Sequence, residues 1–458
     1  METMKPMETL KRRSVAALTL ASAGFVLLAG LPNVPALAVA RPGDLDPTFS
    51  DDGRVLTEFK YFSNPSVAVA YAVAVQEDGR IVAAGSAEQS NQAVALARYL
   101  PNGSLDPSFG EGGRATLDTG AHEWAYAVAI QSDGGIVVAG KISGGPMPGS
   151  EILVARLTSG GDLDHSFGED GLRIVDIGKF AAAGGIALTP GDNIVIAGSG
   201  VGSQAENEFA ILKLTSDGDL NQTFADGGLK LVRFGSGAAA EAVAIDDTGK
   251  ITAGGVGARG KRVGQAFVRI HPSGALDRSF SDDGRRLVLR SGESNRIALT
   301  PSGGIVSAGT VTRYQPRASS DLVLVGLRPD GSLKDSFGDD GLRRIDLNRI
   351  DSSEGVVLQS DGRIVAGVTT NPEGHQFAVL RLTRKGRFDR SFSGNGRTVT
   401  FFYPYGTGVG HMQGVLSAVA MQPNGRIILA GTELDYGTSD INRFALARYK
   451  NDGTPADG

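Results

Sequence analysis

Apolar positions in this chain come in short runs with no helical stripe. The run "AVAVQ" begins at Ala72 and returns as "AVAIQ" at Ala127 and "AVAMQ" at Ala418. A glycine-containing turn follows, such as "EDGR" at Glu77 or "PNGR" at Pro423, and then a second run, "IVAAG" at Ile81, "IVVAG" at Ile136 or "IILAG" at Ile427. A third run is "ALARY", at Ala95 and again at Ala445, and a fourth is the more polar "RATLDT" at Arg114. Runs of this length bounded by turn residues read as β-strands, and helices of useful length do not fit between the glycines. We label the strands A ("AVAVQ"), B ("IVAAG"), C ("ALARY") and D ("RATLDT"). A and B are apolar on both faces, which predicts burial on both sides, and their Ala and Gly content suits strands crowded near a central axis.

The pattern repeats. A motif typified by "GSLDPSFG" at Gly103 places a phenylalanine at Phe49, Phe109, Phe167, Phe224, Phe280, Phe337 and Phe392, with spacings of 60, 58, 57, 56, 57 and 55 residues. Four short strands repeated at such a period predict an all-β, seven-bladed β-propeller. The ends of the chain support a closed ring. The first strand, "RVLTEF" from Arg54 to Phe59, is a D strand with no A, B or C before it. The last, "FALARY" from Phe444 to Tyr449, is a C strand with no D after it. The N-terminal strand is therefore expected to complete the last blade, where an open solenoid would carry polar caps.

The opening motif has a local physical reading. Asp106 is a good N-cap, Pro107 suits a first helical position, and Phe109 can point into the core. A glycine four residues after each phenylalanine (Gly53, Gly113, Gly171, Gly228, Gly284, Gly341, Gly396) can supply a positive φ before strand D. Asn221 substitutes for the capping Asp in one copy, and Lys334 breaks the rule in another. A basic residue recurs on strand C at Arg98, Arg156, Lys213, Arg269, Arg381 and Arg448, and a structural contact to a carboxylate or carbonyl in each blade is expected. Acidic residues follow the phenylalanine by two at Asp51, Glu111, Glu169, Asp226, Asp282 and Asp339. Calcium at these positions is the weaker expectation, because no EF-type spacing is present.

Composition narrows the class. The chain has 458 residues, 65 Gly, 19 Pro, a net charge of −5 and no cysteine. Disulfides and thiolate zinc sites are excluded, and no basic stripe suggests a nucleic-acid partner. At the N-terminus "KRR" (Lys11–Arg13) precedes the apolar run "SVAALTLASAGFVLLAGL", and Ala36-Leu37-Ala38 and Ala38-Val39-Ala40 fit a small-residue cleavage pattern. Residues 1–40 are expected to be a signal peptide and 41–458 one propeller, secreted or held at the cell envelope. No membrane span is expected in the mature chain, and the mature chain is expected to be a monomer.

Taken together, "LDPSFGEGG", "AVAVQEDGRIVAAG" and "ALARYLPNGSLD" are similar to the delta-60 repeat family, a bacterial repeat often found in exported proteins. The likeness extends over nearly everything after Arg41. It implies a propeller-type fold and brings no settled activity, cofactor or catalytic residue. A more distant likeness is to NHL-type propeller units.

Function is expected where the symmetry breaks. A–B and C–D connections hold their lengths, while D–A and B–C connections vary, and in an up-and-down blade these two emerge on one face. That face carries His122, Glu123 and Trp124, then Arg313, Tyr314 and Arg317, then Tyr403, Tyr405 and His411, and finally Tyr436. Aromatic residues with arginine favour a binding surface for a protein, glycan or cell-envelope component, although each of these side chains could equally be a packing plug. The alternative is a hydrolase or lactonase with its site at the axial funnel. Against it, no G-x-S-x-G elbow occurs, and His122, His375 and His411 have no metal-ligand spacing.

Overall fold

The computed structural model describes residues 41–451 apart from 62–63, 66, 89–90, 145–148, 202–205, 290–291, 314–318, 348–350, 371–374, 403–411 and 436–440. Seven four-stranded antiparallel sheets form the blades of a propeller, and none of the described residues is helical. Blade 1 runs Ala68–Val75 (A), Ile81–Glu88 (B), Gln92–Tyr99 (C) and Arg114–Leu117 (D). Blades 2 to 6 repeat this order along the chain. Blade 7 takes its A, B and C strands from Met412–Met421, Ile427–Asp435 and Asn442–Tyr449, and its D strand from Arg54–Thr57. The closing pair is antiparallel, with Arg54 opposite Ala447 and Thr57 opposite Phe444. The expected closure is thus what the structure shows.

Apolar burial happens between blades. Seven clusters of buried side chains each join one blade to the next. Between blades 1 and 2, for example, Val82, Ala84, Val94 and Leu96 meet Ala125, Val138, Leu153 and Ala155. The B strands behave as their composition predicts, with Ile81 to Ala87 fully buried. The A strands do not. Their residues alternate between buried and half-buried, as in Ala68–Val75, because one side looks onto the hollow axis. Apolar residues on both faces meant a second blade on one side and a narrow channel on the other.

The repeated motif is the fastener between blades. All seven phenylalanines are at most 1 % exposed. Each is followed by a residue whose N–H donates to the next blade's C–D turn, from Ser50 to the Asn102 carbonyl (2.7 Å) around to Ser393 and the Pro42 carbonyl (2.6 Å), which crosses the closing junction. Gly53, Gly113, Gly171, Gly228, Gly284, Gly341 and Gly396 all have the positive φ expected, between 82° and 102°. The cap works as read. Asp106 Oδ1 accepts from the Ser108 N–H (3.0 Å) and hydroxyl (2.7 Å), and Asn221 does the same with Thr223.

The strand C arginine binds the cap and the neighbour together. Arg381 Nε donates to Asp389 Oδ2 (2.9 Å), its guanidinium lies 4.8 Å from the Phe392 ring centre, and Nη1 donates to the Asn451 carbonyl of blade 7 (2.7 Å). The contact predicted within a blade therefore also ties two blades. In blade 5 both halves of the pair are replaced at once, by Gly326 and Lys334. A Cβ at Gly326 would sit 2.7 Å from the Phe337 ring, so there the phenylalanine takes the space an arginine stem would fill.

Candidate functional site

Two places gather side chains that the blade itself does not require: the rim of blade 2 and the axis. At the rim, His122 and Trp124 begin strand A of blade 2 (His122–Ile130) on the D–A and B–C face. The His122 ring stacks near Trp124 with centres 6.0 Å apart, and Lys141 Nζ lies 4.2 Å from the Trp124 ring centre. Glu123 points the other way and is fully buried, accepting from the Thr119 N–H (3.1 Å) and hydroxyl. In blade 6 Asp351 makes the equivalent tie to the Leu347 N–H (2.7 Å). Glu123 thus holds its D–A loop in shape and does not face solvent as a ligand group. Arg313 is exposed at the end of strand B of blade 5 (Ile305–Arg313), two blades beyond blade 3 from the His122 pair, so the ring does not bring these residues together. Tyr314, Arg317, Tyr403, Tyr405, His411 and Tyr436 lie outside the described residues.

The same rim holds a residue that sequence reasoning passed over. Phe180 is 69 % exposed, the most exposed of the large apolar side chains described. It sits at φ 61°, a left-handed conformation that costs a bulky residue roughly 1–2 kcal/mol. Its neighbour Ala181 pairs with Ser150 (N–H to carbonyl, 2.9 Å), and Ser150 pairs with Ser143, which pairs with His122. Phe180 is therefore at the level of His122, across the junction of blades 2 and 3. Nothing in "GKFAAAGG" announces a positive φ at phenylalanine, so no sequence signal could have found it.

At the axis, every A strand carries a bulge against its B strand at the same position. In five blades the bulge pushes a backbone carbonyl onto a glycine of strand B (Gly85, Gly140, Gly198, Gly255 and Gly431): a Cβ on Gly85 would overlap the Val69 carbonyl, and one on Gly140 the Trp124 carbonyl, whereas blade 6 carries Val368 at that place. A bulge re-aims the side chain it carries. The bulged residues are Tyr71, Tyr126, Gly184, Glu241, Asn295, Glu354 and Ser417 in blade order. The next position is Ala or Gly in six blades and Arg296 in blade 5.

Tyr71, Tyr126, Glu241, Arg296 and Glu354 form an arc around the channel. The Tyr71 and Tyr126 rings meet edge to face at 5.1 Å. Gly184 leaves room for the Glu241 carboxylate, whose Oε2 would be 3.2 Å from a Cβ there. Arg296 Nη1 donates to the Glu241 carbonyl (3.1 Å), and Ser352 donates its hydroxyl proton to Glu354. Burial pushes the Glu354 carboxyl up to about 7, against the Ser352 hydrogen bond and the nearby Arg296 charge. Burial also draws the Arg296 guanidinium down from its ordinary value, with Glu241 and Glu354 opposing, and raises the Tyr71 and Tyr126 phenols. The arc floors a cavity of about 470 Å³ whose walls include Ala182, Ala183, Val415 and Leu416. Those residues precede the bulge, so this cavity lies toward the D–A face. Beyond the arc, a space of about 150 Å³ is lined by Val73, Val128, Ile186 and Val243.

Two other features are structural. A groove of about 1030 Å³ at the rim between blades 7 and 1 has its arginines engaged, Arg114 on the Glu58 carbonyl (2.8 Å) and Arg443 on Glu433 (2.8 Å). Asp321, Asp346 and Asp351 form the one carboxylate trio close enough to share a cation among the described residues. Asp321 is already paired with Arg344, and Asp351 with Leu347 and Thr370. The six acidic residues after the phenylalanines are exposed turn positions.

The axial arc was legible in part. "RIALT" at Arg296 places a charge where the other units carry Ala or Gly, and that breach could have been read.

Comparison with known proteins agrees with the architecture. The "Domain of unknown function (DUF5122) beta-propeller" matches the chain at residues 76–109, 131–167, 192–224, 359–392 and 422–455. All five segments start in the A–B turn; the first four end on the motif phenylalanine and the fifth runs past strand C of blade 7, and they support a β-propeller repeat family. The units of blades 4 and 5 are not among them. No curated protein matches the chain. Solved structures similar in fold include the β-propeller domain of the Trilobed protease from Pyrococcus furiosus (9 % identity, 86 % of this chain, 100 % of that one, TM-score 0.43). They also include polysaccharide lyase Uly1 (12 %, 83 %, 90 %, 0.46) and a protein of unknown function from Dyadobacter fermentans (11 %, 87 %, 99 %, 0.42). At these identities the likeness is one of fold.

Proposed function

We propose that this chain is an exported, delta-60-type propeller that acts as a binding scaffold, engaging a protein, glycan or cell-envelope component through the D–A and B–C face. Phe180 carries this reading. A large apolar ring held exposed at a strained backbone angle contributes nothing to folding that a glycine would not, and strain of this kind is found where a surface is kept for a partner. Trp124 with Lys141 and His122 supplies an aromatic and cationic neighbour at the same rim. The regular turns occupy the opposite face.

Phe180→Gly tests this, because it removes the ring and relieves the backbone at once. The variant should melt no lower than the parent chain while losing binding to secreted proteins and envelope glycans. If it melts lower and binds as before, Phe180 is packing and the surface reading fails. A second reading, a hydrolase or lactonase at the axial funnel, is favoured by Glu354, whose carboxyl burial raises to about 7 in a cavity that Glu241 also lines, a suitable range for an acid–base group. A hydrolase screen in which Glu354→Gln removes activity supports the second reading over the first.

A further inference from the structure

The axial arc has a composition that ring closure does not demand. Six blades show that Ala or Gly suffices at the position of Arg296, and Gly184 and Ser417 show that no large side chain is needed at the bulge. The large and charged groups are also sorted. Both tyrosines come from blades 1 and 2, and Glu241, Arg296 and Glu354 come from blades 4, 5 and 6. The well they floor therefore has an aromatic side and a polar side.

We propose that this well binds one uncharged, hydroxyl-rich ring, a saccharide unit, with its C–H surface toward Tyr71 and Tyr126 and its hydroxyls on Glu241, Arg296 and Glu354. The inference goes beyond docking at the rim and stands whether or not the rim binds a partner.

The chemistry excludes the other ligand classes in turn. The cavity of about 470 Å³ falls within the range of roughly 300–1,000 Å³ of small-ligand sites. An apolar ligand would strip water from three ionisable groups and return nothing. An anion would meet two carboxylates and a guanidinium already engaged by blade 4. A cation would meet Arg296 between those carboxylates. Neighbouring hydroxyls, by contrast, both donate to carboxylates and accept from a guanidinium or a phenol, so they satisfy every group in the arc. Entry is from the D–A face, because the larger cavity opens there and the space beyond the arc is only about 150 Å³.

The purified full chain is tested by calorimetry and saturation-transfer NMR against the methyl glycosides of glucose, galactose, mannose and N-acetylglucosamine, with galacturonate and choline as charged controls. At least one neutral glycoside should bind, and both controls should bind roughly tenfold more weakly or not at all. Tyr71→Leu combined with Tyr126→Leu removes both aromatic faces and keeps apolar bulk, and should weaken binding by roughly tenfold. Arg296→Gln should do the same. Glu354→Gln should retain binding, since the amide keeps a donor and an acceptor, and Glu354→Ala should not. Should Arg296→Gln fail to fold, the tyrosine pair alone decides. The proposal is overturned if galacturonate or choline binds better than every glycoside, if no glycoside binds at millimolar concentration, or if the tyrosine pair leaves affinity unchanged.

Discussion

Closure of the ring can be tested with two matched phenylalanines. Phe59 lies just beyond the N-terminal D strand and packs on Phe444 of blade 7, ring centres 4.8 Å apart, with 2 % exposure. Phe234 makes the same contact inside the ring, on Phe209 of blade 3, also at 4.8 Å and with 6 % exposure. Truncating a buried phenylalanine to alanine costs about 3–5 kcal/mol. At about 1.4 kcal/mol per tenfold, the local opening equilibrium should rise by roughly two to three and a half decades. The outcome of Phe234→Ala calibrates the measurement, because its strand is interior to the chain. If Arg54–Thr57 is truly the fourth strand of blade 7, Phe59→Ala should match it. Hydrogen exchange followed by mass spectrometry reads the result directly: amides of Asn442–Tyr449 should lose protection in the first variant and those of Asn207–Leu214 in the second. A Phe59→Ala protein that keeps full protection at 442–449, while Phe234→Ala loses it at 207–214, would refute closure by the N-terminal strand. The thermal midpoint is a poorer readout, since a ring of repeats can fray at one blade without unfolding elsewhere.

Three further outcomes are expected. Arg381→Gly should destabilise strongly, since it removes a buried cation from Asp389, but adding Asp389→Lys, the combination blade 5 already carries, should restore part of the loss in urea unfolding. Acid should unfold the ring through its caps. Burial pushes Asp277 up, but hydrogen bonds from Ser279 and Lys250 outweigh it and hold the carboxyl at about 2. Because the folded pKa lies below the unfolded value of 3.8, this support is complete above pH 4 and is lost as pH falls toward 2. It amounts to about 2 kcal/mol, and the lowered caps Asp46, Asp106 and Asp389 act in the same window. Glu354 has the opposite sign. Its raised pKa weakens the fold as pH rises from 4.5 through 7, so a melt series should peak on the acid side of neutrality, and Glu354→Gln should flatten that limb. Finally, N-terminal sequencing of exported protein should begin at Val39 or Arg41; an intact Met1 on a membrane-bound product would refute the signal reading.

The sequence by itself determined the architecture: seven units, the four strands in each, and the shared last blade. Each of those properties is written locally. A turn glycine, a capping aspartate or an apolar run acts within a few residues, and copying the unit copies the blade. It also determined that Arg98 and its equivalents would be structural, although it did not show that they reach across to the next blade. The tertiary structure alone decided what faces the axis. Which residue of an A strand turns inward depends on the bulge, and the bulge is a matter of register against strand B, whose facing residue lies some fifteen positions away, as Gly85 does from Val69. Glu241, Arg296 and Glu354 meet only because three successive blades bring residues more than a hundred positions apart to the axis. The strain at Phe180 belongs to the same class: a backbone angle imposed by the junction of two blades leaves no trace in the residues on either side of it.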